Sequence, residues 1–380
     1  MNTPQHYRKH RINAVDGWRG VSVLMVVISH QLLLLKPSHS LFHHFKIIAH
    51  GGLGVRFFFV ISGFVIARLL LQEQAAFGTI DRLEFYKRRI VRLVPALYVF
   101  VLTSTIIFML IGKNEGLACI AGSLTFSVGL FLNCGWDLAH LWSLTNEEAF
   151  YLIFPSVLLL VRPRYTAASF IFLLLACAIL RVIDYLGSEE FPPLLLSFNR
   201  TLYSFDQMAA GVLLAVGSEK YPDINRRIFC WYPSLVRFIS FLLIIGIQEL
   251  SQHGLLGFIC VPLGTTLQAF AFTTLMGSSI FCHRGLLYQL LTLPFLVRIG
   301  VLSYSLYLWQ QLFFVPGKMN TDTLSVLTHF PLNVVCMAFL AWISYTFVEI
   351  PFKHFADRVG FLRPRKTRSE NRSESSDKAA

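Results

Sequence analysis

Long apolar blocks, broken by short polar or charged segments, dominate this chain from its first twenty residues to its last forty. Ten of the blocks approach the ~20 residues that a helix needs to cross ~30 Å of hydrocarbon. They are Val15–Leu35, Gly52–Leu71, Leu93–Gly112, Leu141–Val161, Thr166–Leu186, Thr201–Gly217, Ser234–Gln248, Gly254–Met276, Phe295–Val315 and Leu324–Val348. The pattern predicts an all-α integral membrane protein, a bundle of about ten transmembrane helices.

An eleventh apolar stretch, Leu117–Leu132, is resolved by charge. Basic residues mark the cytoplasmic side, so the cluster Arg82 to Arg92 places the start of span three inside. Arg162 and Arg164 place the end of span four inside as well. An even number of crossings must lie between them, so Leu117–Leu132 is expected to be re-entrant or to lie on the outer side. Both termini are then cytoplasmic. Residues 1–14 form a short cytoplasmic lead, 15–362 the membrane domain, and 363–380 a basic, polar tail expected to be disordered.

Composition agrees with the pattern. The 380 residues are 55% hydrophobic and 14% charged, where a soluble domain carries about a quarter charged residues. The net charge of +12 resides in clusters between spans, which is a topological signal and not a nucleic-acid footprint. The first apolar run follows Arg19-Gly20 and lacks a small-x-small cleavage site, so it is read as a retained span. The seven cysteines are scattered without a CxxC pair, and indicate neither a disulfide framework nor a thiolate metal site. His43-His44 has no ligand company, and no metal is expected.

Ionisable residues within spans are costly, roughly 2.5–3.5 kcal/mol each on insertion scales, and need a partner or a purpose. Asp16-Gly17-Trp18-Arg19-Gly20 opens the first span and His30 follows in the same helix. At 1.5 Å per residue, His30 lies about 16 Å beyond Arg19. A neutral imidazole suits general-base work on a hydroxyl, although a satisfied core histidine is the plainer reading of His30 alone. Arg89 and Arg92, spaced i, i+3, share a helical face suited to phosphate, or serve only as a positive-inside anchor.

The fourth span opens His140-Leu141-Trp142-Ser143 and carries Glu147 and Tyr151 as i, i+4 neighbours. If it begins at the outer face, Glu147 and His30 fall at similar depth, and the carboxylate is expected to orient the imidazole. Arg56, Arg200, Asp206 and Glu349 are further candidates: Arg200 and Asp206 for acceptor sugars or for each other, Glu349 for Arg19 or the basic segment. As structural salt bridges these are at least as well explained.

Six blocks in order give the chain a recognisable kinship. They are Val15 to Gly20 with His30, Gly54 to Phe64, Arg88 to Pro95, His140 to Tyr151, Ser303 to Trp309, and Glu349-Ile350-Pro351. Together they resemble the acyltransferase 3 family of integral membrane acyltransferases, without the SGNH-type domain that some relatives carry fused. The resemblance implies roughly ten helices and acyl-CoA, usually acetyl-CoA, as a cytoplasmic donor. It implies transfer to a hydroxyl of an extracytoplasmic glycan or glycolipid acceptor at the bacterial cytoplasmic (inner) membrane.

Arg19 and His30 fall on the family's Arg-x10-His motif, and Arg89 and Arg92 on its Arg-x-x-Arg motif. Glu147 falls on the first carboxylate of the block that begins Trp142-Ser143. Gln310 stands where many relatives have histidine, and Arg56 where a polar or acidic residue is common. The expected site is therefore His30 and Glu147 as catalytic residues, with Arg19, Arg89 and Arg92 holding the donor. Tyr151, Ser143, Trp142, Arg200 and Glu349 support them. The alternatives are a transporter or flippase for an anionic or acylated solute, and a non-catalytic membrane subunit.

Overall fold

A computed structural model describes residues 11–34, 50–113, 115–131, 134–187, 202–315 and 326–362. Among these there is no β-strand. The helices in chain order are α1 (Asn13–Leu34), α2 (Gly51–Phe77), α3 (Arg82–Leu110), α4 (Leu117–Leu124), α5 (Val128–Phe131), α6 (Trp136–Ala139), α7 (Trp142–Leu160) and α8 (Thr166–Leu186). They continue as α9 (Phe205–Lys220), α10 (Pro222–Cys230), α11 (Pro233–Gln252), α12 (Gly257–Phe281), α13 (Leu286–Leu291), α14 (Pro294–Phe313), α15 (Leu332–Ser344) and α16 (Ile350–Arg358). A π-helical turn, Tyr345–Glu349, joins the last two.

Six helical segments of the described chain are long and apolar enough to cross a membrane: α1, α2, α3, α8, α11 and the run from α15 through α16. Helices also stand at the other four predicted positions, as α7, α9, α12 and α14. The outward sides of the bundle carry large exposed apolar residues such as Leu160 of α7, Phe172 of α8, Phe238 of α11, Phe258 of α12 and Phe339 of α15. In water such a surface would drive aggregation, whereas in hydrocarbon it is solvated. The protein is a multi-pass membrane protein.

Two helix crossings set the position of the polar interior. Gly63 of α2 and Gly211 of α9 face each other's backbones so closely that a Cβ at either would overlap the carbonyl oxygen of Met208 or Val60. Gly300 of α14 likewise abuts the carbonyl of Asp16. That contact locks the start of α1 against α14 and fixes where Arg19 projects. At the arginine-rich end, α2 stops at Gly78, whose φ of 82° is the left-handed conformation glycine favours. Asp81 then caps α3 by accepting the Glu84 N–H at 3.0 Å. The buried Glu73 ties the turn together, accepting the Asp81 N–H at 3.0 Å and Arg88 at 2.9 Å.

Several expectations change. Helix α3 begins at Arg82, so the basic cluster forms its first turns and is not a loop before it. The Leu117–Leu132 stretch, expected not to cross, agrees with that expectation: it is broken into α4 and α5, of 8 and 4 residues, each too short to span. The cysteine reading is corrected most plainly. Cys119 is bonded to Cys134 and Cys230 to Cys282, while Cys177, Cys260 and Cys336 are free. The first pair closes the folded-back α4–α6 segment, and the second joins the end of α10 to the end of α12. Sequence spacings of 15 and 52 carry no sign of such meetings. The expected tail at 363–380, residues 1–10, His43-His44 and Arg200 lie outside the described residues.

Candidate active site

The polar interior has two layers, one at the arginine-rich end and one towards the opposite end. The first opens as a cleft of ≈ 950 Å³, lined among others by Arg11, Arg19, Arg88, Arg92, Glu349 and Lys353. Arg19, Arg92 and Tyr304 also line a second, narrow chamber of ≈ 90 Å³ that runs inward past Glu147, Tyr151 and Ser62 to Ser143 and Tyr307. Cleft and chamber thus share a wall, and cations dominate its outer part.

Helix α3 supplies Arg88, Arg89 and Arg92 from consecutive turns, yet their surroundings differ. Arg89 folds inward, donating to Glu148 from Nη2 at 2.8 Å and Nε at 3.2 Å, with Glu147 3.7 Å away. Its guanidinium lies 3.6 Å from the centroid of the Tyr151 ring. Its side chain is 11% exposed, so this is a buried guanidinium answered by two carboxylates and an aromatic face. Arg92 is exposed to the cleft and forms none of the ion pairs among the described residues. Arg19 reaches only to 3.9 Å from Asp16, whose carboxylate is taken up more closely by Arg11. Glu349 accepts from Ser305 and lines the cleft near Arg19 and Arg92.

Glu147 is not the partner of His30. Its carboxylate accepts from Ser62, from the Tyr151 hydroxyl at 2.5 Å, and faces Arg89. It lies close enough to Arg19 to interact with it electrostatically, so it belongs to the Arg19 layer. The reason is where α7 begins. The chain does not enter at Trp142 from the surface, because Asp137, Leu138, His140 and Leu141 are already buried. Two further turns bring Glu147 to the arginine layer instead of the His30 layer.

The second layer contains His30, His140, Trp136 and Gln310. The His30 ring meets Trp136 edge-on at 5.6 Å, and Trp136 is anchored by its indole N–H to the Gln311 carbonyl at 3.1 Å. Gln310, fully buried on α14, lies within interaction distance of His30, although no hydrogen bond of ordinary geometry forms at its amide atoms or at His30 Nδ1 among the described residues. His140 lies near His30, with its ring against Tyr307 at 5.4 Å and Phe100 at 5.5 Å. Tyr307 joins the two layers. Its hydroxyl shares a 2.7 Å hydrogen bond with Ser143 and donates to the His140 carbonyl at 2.9 Å.

Of the remaining expected residues, Tyr151 and Ser143 line the chamber, whereas Trp142 is 42% exposed and turns to Phe59. Asp206 is fully buried and accepts from Arg181 at 2.7 Å and Thr266 at 2.8 Å, a structural ion pair closed to any sugar. Arg56 donates to Gln268 at 2.5 Å. Next to the second layer, Asp137 accepts from Ser104 at 3.2 Å. Burial, with Glu115 alongside, pushes its carboxyl up to about 7. No group of three or more metal-ligating side chains occurs among the described residues.

Ser62, Glu148, His140, Tyr307 and Gln310 escaped the sequence reading as members of the site. His140 had a signal available, since it heads the same block as Ser143 and Glu147. Gln310 stood out only as a departure from the family's pattern and Glu148 as a second carboxylate beside Glu147, while Ser62 and Tyr307 are ordinary polar residues until the helices are brought together.

A family model described as an acyltransferase domain matches residues 12–348 of the chain. O-acetyltransferase OatA of Staphylococcus aureus (strain NCTC 8325 / PS 47) is 28% identical over 392 residues, covering 95% of this chain and 60% of the relative. "Putative peptidoglycan O-acetyltransferase YrhL" of Bacillus subtilis (strain 168) is 26% identical over 398 residues, covering 93% and 57%. The chain therefore spans about three-fifths of the length of these curated relatives. No solved structure matches it.

Proposed function

The chain belongs to the acyltransferase 3 family, and from that premise we propose that it moves an acyl group, most simply acetyl, from acyl-CoA to a carbohydrate hydroxyl across the bilayer. The observation that carries this reading is the shared wall of cleft and chamber, prolonged by Ser143 and Tyr307 to the histidine layer. A cleft of ≈ 950 Å³ is at the upper end of ligand-pocket size and is rimmed by cations, of which Arg92 forms no ion pair among the described residues. Arg92 and Arg19 are the residues to take the donor's phosphates, Arg92 with its guanidinium fork free. The narrow chamber suits an extended chain bearing a thioester.

In this reading His30 is the general base. It takes the proton of the acceptor hydroxyl, the oxygen attacks the thioester carbonyl, the C–S bond breaks, and an ester and a free thiol result. Glu147 holds the chamber's shape through Ser62, Tyr151 and Arg89. The arginine-rich end faces the cytoplasm with both termini, the ten helices span the cytoplasmic membrane, and the acceptor approaches the histidine layer from outside. The names of the relatives, O-acetyltransferase and peptidoglycan O-acetyltransferase, favour an envelope glycan as that acceptor.

Mass spectrometry of envelope glycans from cells with and without the protein tests the proposal. The expected result is an acetyl ester lost with the protein and restored by wild type but not by His30→Ala. Unchanged glycan esters, with a small solute moved and no thioester consumed, would favour the transporter alternative.

A further inference from the structure

Ser303 is a buried polar group that the transfer described above leaves unused. It lies on α14, is 1% exposed, and its hydroxyl has no hydrogen-bond partner among the described residues. A helical serine can satisfy itself by donating to the carbonyl four residues earlier. Ser123, Ser169 and Ser279 do so here, at 2.7, 3.1 and 2.9 Å. Ser303 makes no such bond, and an unpaired buried hydroxyl costs stability.

Its position gives that cost a use. Other buried hydroxyls lack a partner, Ser22 and Ser344 among them, but of these only Ser303 lines the narrow chamber among the described residues. The chamber's other hydroxyls are answered within the chain. Ser62 and Tyr151 donate to Glu147, Tyr304 donates to the Leu93 carbonyl at 2.8 Å, and Ser143 and Tyr307 share their 2.7 Å bond. Ser303 also stands at a definite depth. Its neighbour Tyr304 belongs to the wall shared with the cleft, and Tyr307, one turn or about 6 Å further along α14, marks the inner end with Ser143.

We propose that Ser303 binds the amide of the donor's pantetheine arm that lies nearest the sulfur, donating its hydroxyl hydrogen to the amide carbonyl oxygen. This rests on the transfer reading above. With the donor's phosphates at Arg19 and Arg92, the arm runs inward past Tyr304. The amide nearest the sulfur is separated from it by two methylenes. When the thioester reaches the inner end beside Ser143 and Tyr307, that amide falls about one helical turn behind, at the level of Ser303. The bond forms on binding and is kept through the reaction, so it serves donor affinity and not the chemical step. Ser303 is thus a specificity-determining residue for the arm, and not a catalytic one.

Changing both partners of the bond tests it. Purified protein in proteoliposomes, with envelope glycan stripped of its esters as acceptor, is given acetyl-CoA or an analogue in which that amide is replaced by two methylenes. Ser303→Ala is expected to raise KM for acetyl-CoA about tenfold with kcat little changed. Wild type should lose a similar factor on the analogue, and Ser303→Ala should then cost less than about twofold more. Equal losses from Ser303→Ala on both donors, or none, would overturn the assignment. The melting temperature supplies a second readout. Because the hydroxyl has no partner in the free protein, Ser303→Ala should melt at or above wild type. A lowered melting temperature, or failure to fold, would make the hydroxyl structural and overturn the assignment as well. If wild type makes no ester from acetyl-CoA, the parent reading fails instead.

Discussion

The arginine layer and the histidine layer lie within one bundle and solve opposite problems. In the first, Arg89, Glu147, Glu148, Tyr151 and Ser62 answer one another, so each buried charge has a counter-charge or a donor. In the second, His30 Nδ1, the ring nitrogens of His140 and the amide atoms of Gln310 make no hydrogen bond of ordinary geometry among the described residues, though His30 lies by Gln310 and His140 by the carbonyls of Leu308 and Asp137. A satisfied network holds a shape, because removing one member strands the others. An unsatisfied but neutral set costs less than stranded charge and keeps its hydrogen-bonding capacity for a reacting group. Of the charged residues the sequence singles out, the structure ties Arg89, Glu147 and Asp206 into ion pairs and hydrogen bonds.

Breaking the histidine layer should therefore cost activity and little stability. His30→Ala is expected to lower transfer by about 10²- to 10⁴-fold in a reconstituted assay, with the detergent melting temperature near that of wild type. Breaking the arginine layer should do the reverse. Arg89→Ala strands Glu147 and Glu148 and is expected to destabilise the fold by about 3–5 kcal/mol, read as lost yield and a lowered melting temperature. Glu148→Gln together with Arg89→Gln should recover part of that loss.

Arg92 sharpens the contrast, since it shares a helix with Arg89 but looks into the cleft without an ion pair among the described residues. Arg92→Ala should raise KM for acyl-CoA about tenfold with kcat and melting little changed, as loss of a charge-assisted phosphate contact predicts. A collapse in stability at Arg92 would erase the distinction between the two arginines.

The smallest effect is expected beside the histidine layer, at Asp137. Its folded-state value of about 7 lies above the ordinary 3.8. Its contribution to stability is thus full below the ordinary value and is lost as pH rises through about 7. Wild type should melt lower at about pH 8.5 than at about pH 5.5, and Asp137→Asn should narrow that difference. An unchanged difference would remove Asp137 as its source.

How much of this was legible in the sequence follows from what each residue depends on. The helices were legible because a lipid-spanning helix must be apolar over its own length, a local property. The separation of Arg19 and His30 was legible because one helix carries both. Glu147 was misplaced because its depth depends on where α7 enters, and α6 brings the chain in already buried. Arg89 and Arg92 read alike at i, i+3. They part only because Glu147 and Glu148, more than fifty residues on, meet one and not the other. Both disulfides were invisible for the same reason: pairing is a property of the tertiary fold, and spacing without a motif does not encode it.

On the proposed reading a thioester enters from the arginine-rich end and an ester is made at the other. Sided proteoliposomes test it most directly, with acetyl-CoA confined to the arginine-rich side and glycan acceptor to the opposite side. One thiol should be released on the donor side for each ester formed across the membrane, and neither with His30→Ala. Ester formed only when donor and acceptor share a compartment, or acetyl-CoA crossing intact, would contradict it.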